Sequence, residues 1–418
     1  MYRAIETCRI CGNPELDPVL DLGEQCLTGV FPRRRDERVT AGPLELVKCR
    51  EDAGTDACGL LQLRHTYDLA ELYGLNYGYR SGLNAAMVRH LHAKVKDILA
   101  LVPLAAGDLV IDIGSNDGTL LSAYPEDGPT LVGIDPTGVK FESYYPRHVR
   151  LVPDFFSARA VAEAFPGRRA KVVTSIAMFY DLDDPMDFMR QVRDVLADDG
   201  VWVFEQSYMP TMLRRTAYDT VCHEHLEYYR LKQIAWMAER VGLRLLDCRF
   251  NDVNGGSFSV VAARSEAPYP AADETIAEVL AEEERAGLAT PAPYRAFRDR
   301  VRDHREALRR KVAEINAAGG KVYAYGASTK GNVVLQFCGF TASDIACVAE
   351  VNEDKFGRYT PGTGIPIVPE TEARAGRPDY LMVMPWHFRD GIVAKERNYL
   401  EAGGKLLFPL PRIEIVGG

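Results

Sequence analysis

From about residue 85 onward the chain alternates short apolar runs with longer amphipathic stretches. Leu109-Val-Ile-Asp-Ile113, Leu131-Val-Gly-Ile-Asp135, Val149-Arg-Leu-Val152, Lys171-Val-Val-Thr-Ser-Ile-Ala177 and Gly200-Val-Trp-Val-Phe-Glu205 read as strands. Runs this apolar suit strands covered on both faces, and the stretches between them suit helices. A first amphipathic helix runs through His90, His92 and Leu99. The pattern predicts an α/β, doubly wound, mostly parallel sheet over residues 73–268, preceded by a small segment, 1–72. After an acidic helix (Ala271 to Leu288) and a long charged one (Phe297 to Ala318), the alternation starts again. Lys321 to Tyr325, Ile345 to Glu350 and Asp379 to Met384 are strands of a second, smaller sheet in residues 269–418.

Ligands of such sheets sit at the C-terminal strand ends, so the chemistry is sought there. The first strand runs into Gly114-Ser-Asn116-Asp-Gly118 and then a helix, which puts backbone N–H groups beside a ligand. This turn lacks the middle glycine of a dinucleotide fingerprint. Asp112 is placed to accept from an amine-bearing ligand, and Asp135, with Pro136 after it, to take both hydroxyls of a ribose. Asp154-Phe155-Phe156 offers an acid and aromatics suited to adenine. In the second sheet the turn after Tyr325 carries Ser328, Lys330 and Asn332, types that favour phosphate oxygens. Glu350, Lys355, Arg358 and Trp386 follow at further strand ends.

Composition narrows the function. Hydrophobic content of 47% and charged content of 26% describe an ordinary globular chain, and the net charge of −9 speaks against nucleic acid as partner. No apolar run reaches membrane-spanning length, and no apolar leader follows Met1, so a cytoplasmic location without a membrane partner is expected. In a reducing compartment nine cysteines point to metal ligands or buried thiols rather than disulfides. Cys8-x2-Cys11 and Cys49-x8-Cys58 suit a tetrahedral Zn²⁺ site closed to substrate, with ordinary reduced thiols as the rival reading.

Cys222-His223-Glu224-His225-Leu-Glu-Tyr-Tyr229 gathers ionisable groups too densely for a solvated face. Its spacing does not match a zinc-protease helix. A histidine general base oriented by a neighbouring Glu or Tyr is better motivated, against structural imidazoles tied to backbone carbonyls. Asn254-Gly-Gly-Ser257 is a glycine turn at a strand start, and the Tyr77-Gly-Tyr79 loop has the character of a site-lining segment.

Taken in order, these blocks resemble the three-domain NDP-sugar C-methyltransferases, which act on 4-keto deoxyhexoses. The resemblance rests on the cysteine quartet, the Asp112–Gly118 turn, Glu224-His225, Gly255-Gly256, Tyr325-Gly-Ala327 with Lys330, and Thr360-Pro-Gly362 with Ile365-Pro366. It implies zinc in residues 1–72, S-adenosylmethionine in a class I Rossmann-like fold at 73–268, and a nucleotide sugar, dTDP-linked, against a Rossmann-like fold at 269–418. It further implies His225 as base with Glu224 beside it, and a tyrosine of the Tyr77–Tyr79 loop at the site. Tyr180 joins these as a donor to an enolate oxygen. His223, Tyr229 and Asn254 are assigned to the substrate, C3 is favoured over C5 for methylation, and a monomer is expected. One branch of that family carries histidine where Phe179–Asp181 and Asn254 stand here. An O-methyltransferase, or a zinc-bearing binding module with a vestigial cofactor fold, would share some of these motifs; the intact Asp112, Gly114 and Asp135 speak against decay.

Overall fold

A computed structural model describes residues 2–51, 56–73 and 78–417. The central sheet has seven strands. In spatial order they are Leu243–Asn251, Ser257–Arg264, Leu196–Ser207, Ala170–Ile176, Leu109–Ile113, Thr130–Ile134 and Val149–Val152. All run parallel except Ser257–Arg264, which is antiparallel to both neighbours. Every residue of Leu109–Ile113 is buried, because helices cover both faces at the sheet's centre. Helix Pro185–Val195 shows how the sequence starts such a cover. Asp184 accepts from Asp187 N, proline takes the first turn, and Met186, Phe188, Met189, Val192 and Val195 face the core.

A second sheet holds Ile367–Pro369, Val348–Glu350, Val322–Tyr325, Tyr380–Val383, Lys405–Phe408 and Glu414–Val416 in that spatial order, with the last strand antiparallel. Helix Ala292–Ala317 packs beside it through Phe297, Val301, Leu308, Val312 and Ile315, spaced to make one stripe. Burying each such side chain contributes about 1.5–3 kcal/mol. Helix Asp273–Arg285 docks instead on the central sheet's layer. Its Glu283 accepts from Tyr208 Oη (2.8 Å), Leu231 N (2.6 Å) and Lys232 N (3.1 Å), capping helix Leu231–Val241 with negative charge.

The N-terminal strands Leu16–Cys26, Ala41–Cys49 and Leu61–Leu63 form an antiparallel sheet. Its fourth strand comes from far along the chain: Glu227–Tyr228 pairs with Leu61 and Gln62. Further stitches run from the N-terminal segment to the C-terminal sheet. Gln336 holds both backbone groups of Cys26 (2.8 and 3.1 Å), Asn332 Nδ2 donates to Thr28 O (2.7 Å), and Tyr359 N donates to Pro32 O (2.9 Å). Among the described residues, no helix is long and apolar enough to cross a membrane.

Candidate active site

The four cysteines Cys8, Cys11, Cys49 and Cys58 converge, with all their sulfurs within 4.8 Å of one another. Cys8 and Cys58 lie 3.5 Å apart, and Cys11 and Cys49 3.6 Å apart. A tetrahedron of thiolates at the usual Zn–S length has edges of about 3.8 Å, so the donor set fits zinc. Gly12 (φ 70°) and Gly59 (φ 71°) take the left-handed turns that wrap the chain around the sulfurs. Four protein ligands leave no open position for substrate.

At the central sheet, Gly114 adopts φ 72° and a Cβ there would meet Met178 at 3.0 Å. Asp112 is buried and accepts from Thr174 Oγ1 at 2.6 Å. Burial pushes its carboxyl up to about 7. Asp135 accepts from Asn116 N (2.8 Å) through one oxygen and from Thr137 N (2.7 Å) and Oγ1 (2.5 Å) through the other. The neighbouring loop closes on the same turn. Ser81 N donates to Asn116 Oδ1 (2.9 Å), Asn116 Nδ2 donates to Tyr79 O (3.1 Å), and Gly82 N donates to Asp117 Oδ2 (2.9 Å). A close-approach glycine turn, a carboxyl with spare acceptor capacity and a second acid one strand over fit the amine and ribose of S-adenosylmethionine. Pro136 is half-buried beside them, and Asp154 and the half-exposed Phe155 stand at the next strand end. Phe156 instead packs edge-on against Phe188 (5.4 Å), so it serves the helix layer rather than the adenine edge.

The Glu224–His225 loop lies where the central part of the chain meets the C-terminal part, which reaches it through Trp386 and Lys330. His225 Nδ1 sits 2.8 Å from Thr220 O. A carbonyl only accepts, so Nδ1 carries the proton and Nε2 keeps its lone pair. Among the described residues Nε2 makes no hydrogen bond and is not sealed in. Burial, reinforced by the Lys330 ammonium, pushes the imidazole down to about 3. Tyr180 tilts over it, ring centres 4.3 Å apart. Glu224 is buried, accepts from Thr28 Oγ1 at 3.4 Å, and is held protonated more readily than usual by burial. Gly29 leaves it room: a Cβ there would lie 2.6 Å from Glu224 Oε1.

Several expected site residues have other occupations. His223 is fully buried against the Tyr67 ring (4.6 Å). Tyr229 stacks on Phe179 (5.3 Å) inside the core. Ser328 Oγ caps helix Thr329–Cys338 by accepting from Gly331 N (2.9 Å), and Asn332 is spent on Thr28. Glu350 accepts from the backbone of Ala327 (2.7 Å), Val351 (2.7 Å) and Asn352 (2.9 Å). Arg358 donates to Phe31 O (3.1 Å) and Lys355 to Ala327 O (2.7 Å), so both brace loops. Trp386 is buried, and its indole N–H donates to the buried Asp219 Oδ2 at 2.8 Å, joining the C-terminal part to the central part. Lys330 Nζ also crosses, to Asn254 O at 3.1 Å. Tyr79 is nearly half exposed beside the glycine turn, and Tyr77 lies outside the described residues.

Sequence reasoning missed a polar knot at the end of Leu196–Ser207. The buried Glu205 takes His90 Nε2 (2.6 Å), Lys94 Nζ (2.8 Å) and Asn251 Nδ2 (2.9 Å). An acid closing a predicted strand was the available signal. It also passed over Asp219; His387, an imidazole legible at the end of the Asp379 strand, has a buried Nδ1 lacking a partner among the described residues.

A seven-stranded doubly wound sheet with one antiparallel strand and a glycine turn between Asp112 and Asp135 has the architecture of a class I S-adenosylmethionine-dependent methyltransferase. Three family models match consecutive parts: "Putative zinc binding domain" over residues 8–73, "Methyltransferase domain" over 87–247 and "C-methyltransferase C-terminal domain" over 252–411. C-methyltransferase NovU of Streptomyces niveus is 32% identical over 420 residues, covering 100% of this chain and 98% of that one. The chain belongs to this C-methyltransferase family, with zinc in its N-terminal segment and S-adenosylmethionine as cofactor. Among solved structures, magnesium protoporphyrin IX methyltransferase of Synechocystis PCC 6803 is 13% identical, with TM-score 0.34, over 44% of this chain and 88% of that one. CcbJ methyltransferase of Streptomyces caelestis is 15% identical, with TM-score 0.33, over 42% and 90%.

Proposed function

We propose that the enzyme C-methylates a nucleotide-linked 4-keto-6-deoxy sugar, dTDP-linked, at a carbon beside the ketone, C3 in preference to C5. The observation that carries this reading is the state of His225: proton fixed on Nδ1, and Nε2 left without a hydrogen bond among the described residues on a partly exposed ring. A sugar carbon is no nucleophile until it loses a proton, and an adjacent ketone makes that proton acidic. Nε2 is placed to receive it, and Thr220 O steadies the imidazolium that results. Tyr180, whose ring tilts over His225, is a candidate donor to the enolate oxygen, and Glu224 stands next to the base in the same loop. Bound S-adenosylmethionine supplies an electrophilic methyl group. The zinc cluster supplies no chemistry, because its four thiolates close it.

General-base catalysis contributes about 10²–10⁴-fold, and fixed geometry supplies much of the remainder. The test is incubation of the enzyme with S-adenosylmethionine and a panel of 4-keto-6-deoxy sugar nucleotides. A product heavier by one methylene unit, with the new methyl on carbon by proton spectra, is expected. Methylation on oxygen only would refute the reading.

A further inference from the structure

Lys330 was read from sequence as a phosphate ligand, but its position fits another task. Thr220, whose carbonyl fixes His225, is adjacent to Asp219, and Asp219 holds the Trp386 indole at 2.8 Å. The Trp386 ring lies against Gly255, where an added Cβ would meet it at 3.0 Å. Asn254, one residue earlier, is held at φ 55° and receives Lys330 Nζ on its carbonyl at 3.1 Å. These contacts form an unbroken arc from His225 to Lys330. Lys330 is therefore fixed relative to the base by packed groups of both sheets rather than by a surface loop.

An ammonium carries three donors. One is used on Asn254 O, and among the described residues Lys330 has no other hydrogen-bond partner. Its charge bears on His225, Asp219, Cys222 and His387, so it stands among these ionisable groups. The neighbouring candidates for a phosphate cradle, Ser328 and Asn332, are already committed to the helix cap and to Thr28. A lone ammonium whose charge reaches His225 is poorly arranged for a diphosphate and well arranged for a single oxygen.

We propose that Lys330 is a catalytic residue that donates to the ketone oxygen of the substrate as His225 removes the adjacent proton. This rests on the keto-sugar reading above. In the step the C–H bond breaks and its proton goes to His225 Nε2. The electron pair forms a C–C double bond, and the carbonyl π pair moves onto the oxygen, where the Lys330 N–H meets the developing charge. Removing one such donor from a preorganised site costs about 10²–10³ in kcat.

The experiment compares wild type, K330M and K330R for methyl transfer to a 4-keto sugar nucleotide and for exchange of its α-proton with deuterated solvent. Melting temperature and S-adenosylmethionine affinity are measured alongside. K330M is expected to lower kcat and exchange by about 10²–10³, with KM and cofactor affinity little changed, and K330R to recover part of the loss. If K330M does not fold, K330A, which likewise removes the donor, takes its place with the same expectation. A rise in KM with kcat retained would mean that Lys330 only binds, and would overturn the proposal while leaving the proposed function standing. Absence of both exchange and methylation in the wild-type enzyme across the panel would remove the proposed function, and this role with it.

Discussion

Replacing His225 by asparagine is the sharpest test of the catalytic assignment, because the structure says which bond survives. The imidazole Nδ1–H donates to Thr220 O at 2.8 Å, and an asparagine amide can make the same donation from nearly the same place. What it cannot supply is the basic lone pair of Nε2. Since Nε2 makes no bond within the described chain, no neighbour loses a partner, and the melting temperature should hold. Asp112, Gly114 and Asp135 belong to a different turn, so cofactor affinity by calorimetry should hold too. The loss falls on proton abstraction, about 10²–10⁴-fold, equivalent to about 2.7–5.4 kcal/mol of barrier. The assay follows both methyl transfer and exchange of the substrate α-proton with deuterated solvent. Turnover close to that of wild type, or a variant with collapsed stability, would refute the reasoning.

Three further outcomes follow from the same geometry. Chelation of zinc, or Cys49→Ser, should lower the melting temperature and abolish turnover together, because strand Leu61–Leu63 of the zinc-bearing segment pairs with Glu227–Tyr228, two residues beyond His225; a demetallated enzyme with full activity would contradict this. Gly29→Ala should displace the Glu224 carboxylate and cut turnover by up to about 10²-fold with little change in melting, read by steady-state kinetics against thermal unfolding. A base whose pKa is pushed down to about 3 stays unprotonated as the pH falls through the ordinary histidine range. The His225-dependent limb of kcat/KM should therefore stay flat from about pH 7 to pH 5, where an unperturbed imidazole would lose about 25-fold; a limb near pH 6.5 would show that His225 is not held in this way.

How legible the site was depends on whether its parts are local. Leu109–Gly118 carries strand, turn and acid in one stretch, and the cysteine pairs carry their own turns, so both could be read from residues alone. Glu224 and His225 could be singled out as chemistry but not placed, because the loop's neighbours, Thr28, Gly29 and Thr220, are scattered along the chain. Glu227–Tyr228 has no periodicity to read; a two-residue strand is created by its partner. Ser328 and Asn332 mislead for the opposite reason. Their types suit phosphate as well as a helix cap or an interdomain bond, and only the packed structure shows which claim is met first. Trp386 was assigned to the substrate as an aromatic at a strand end, and its one donor instead finds the buried Asp219.

Asp135 and Glu350 occupy matching places in the two sheets, each receiving the amide of the turn that ends the preceding central strand, from Asn116 and Ala327 respectively. Each carboxylate is thus a tie rod for its own loop before it is a ligand. An alanine at position 135 would let that loop relax, and a measured drop in cofactor affinity would mix lost shape with a lost hydroxyl contact. Weak binding by such a variant is no measure of the sugar's grip on that acid, and the same caution extends to Glu350 in the other sheet.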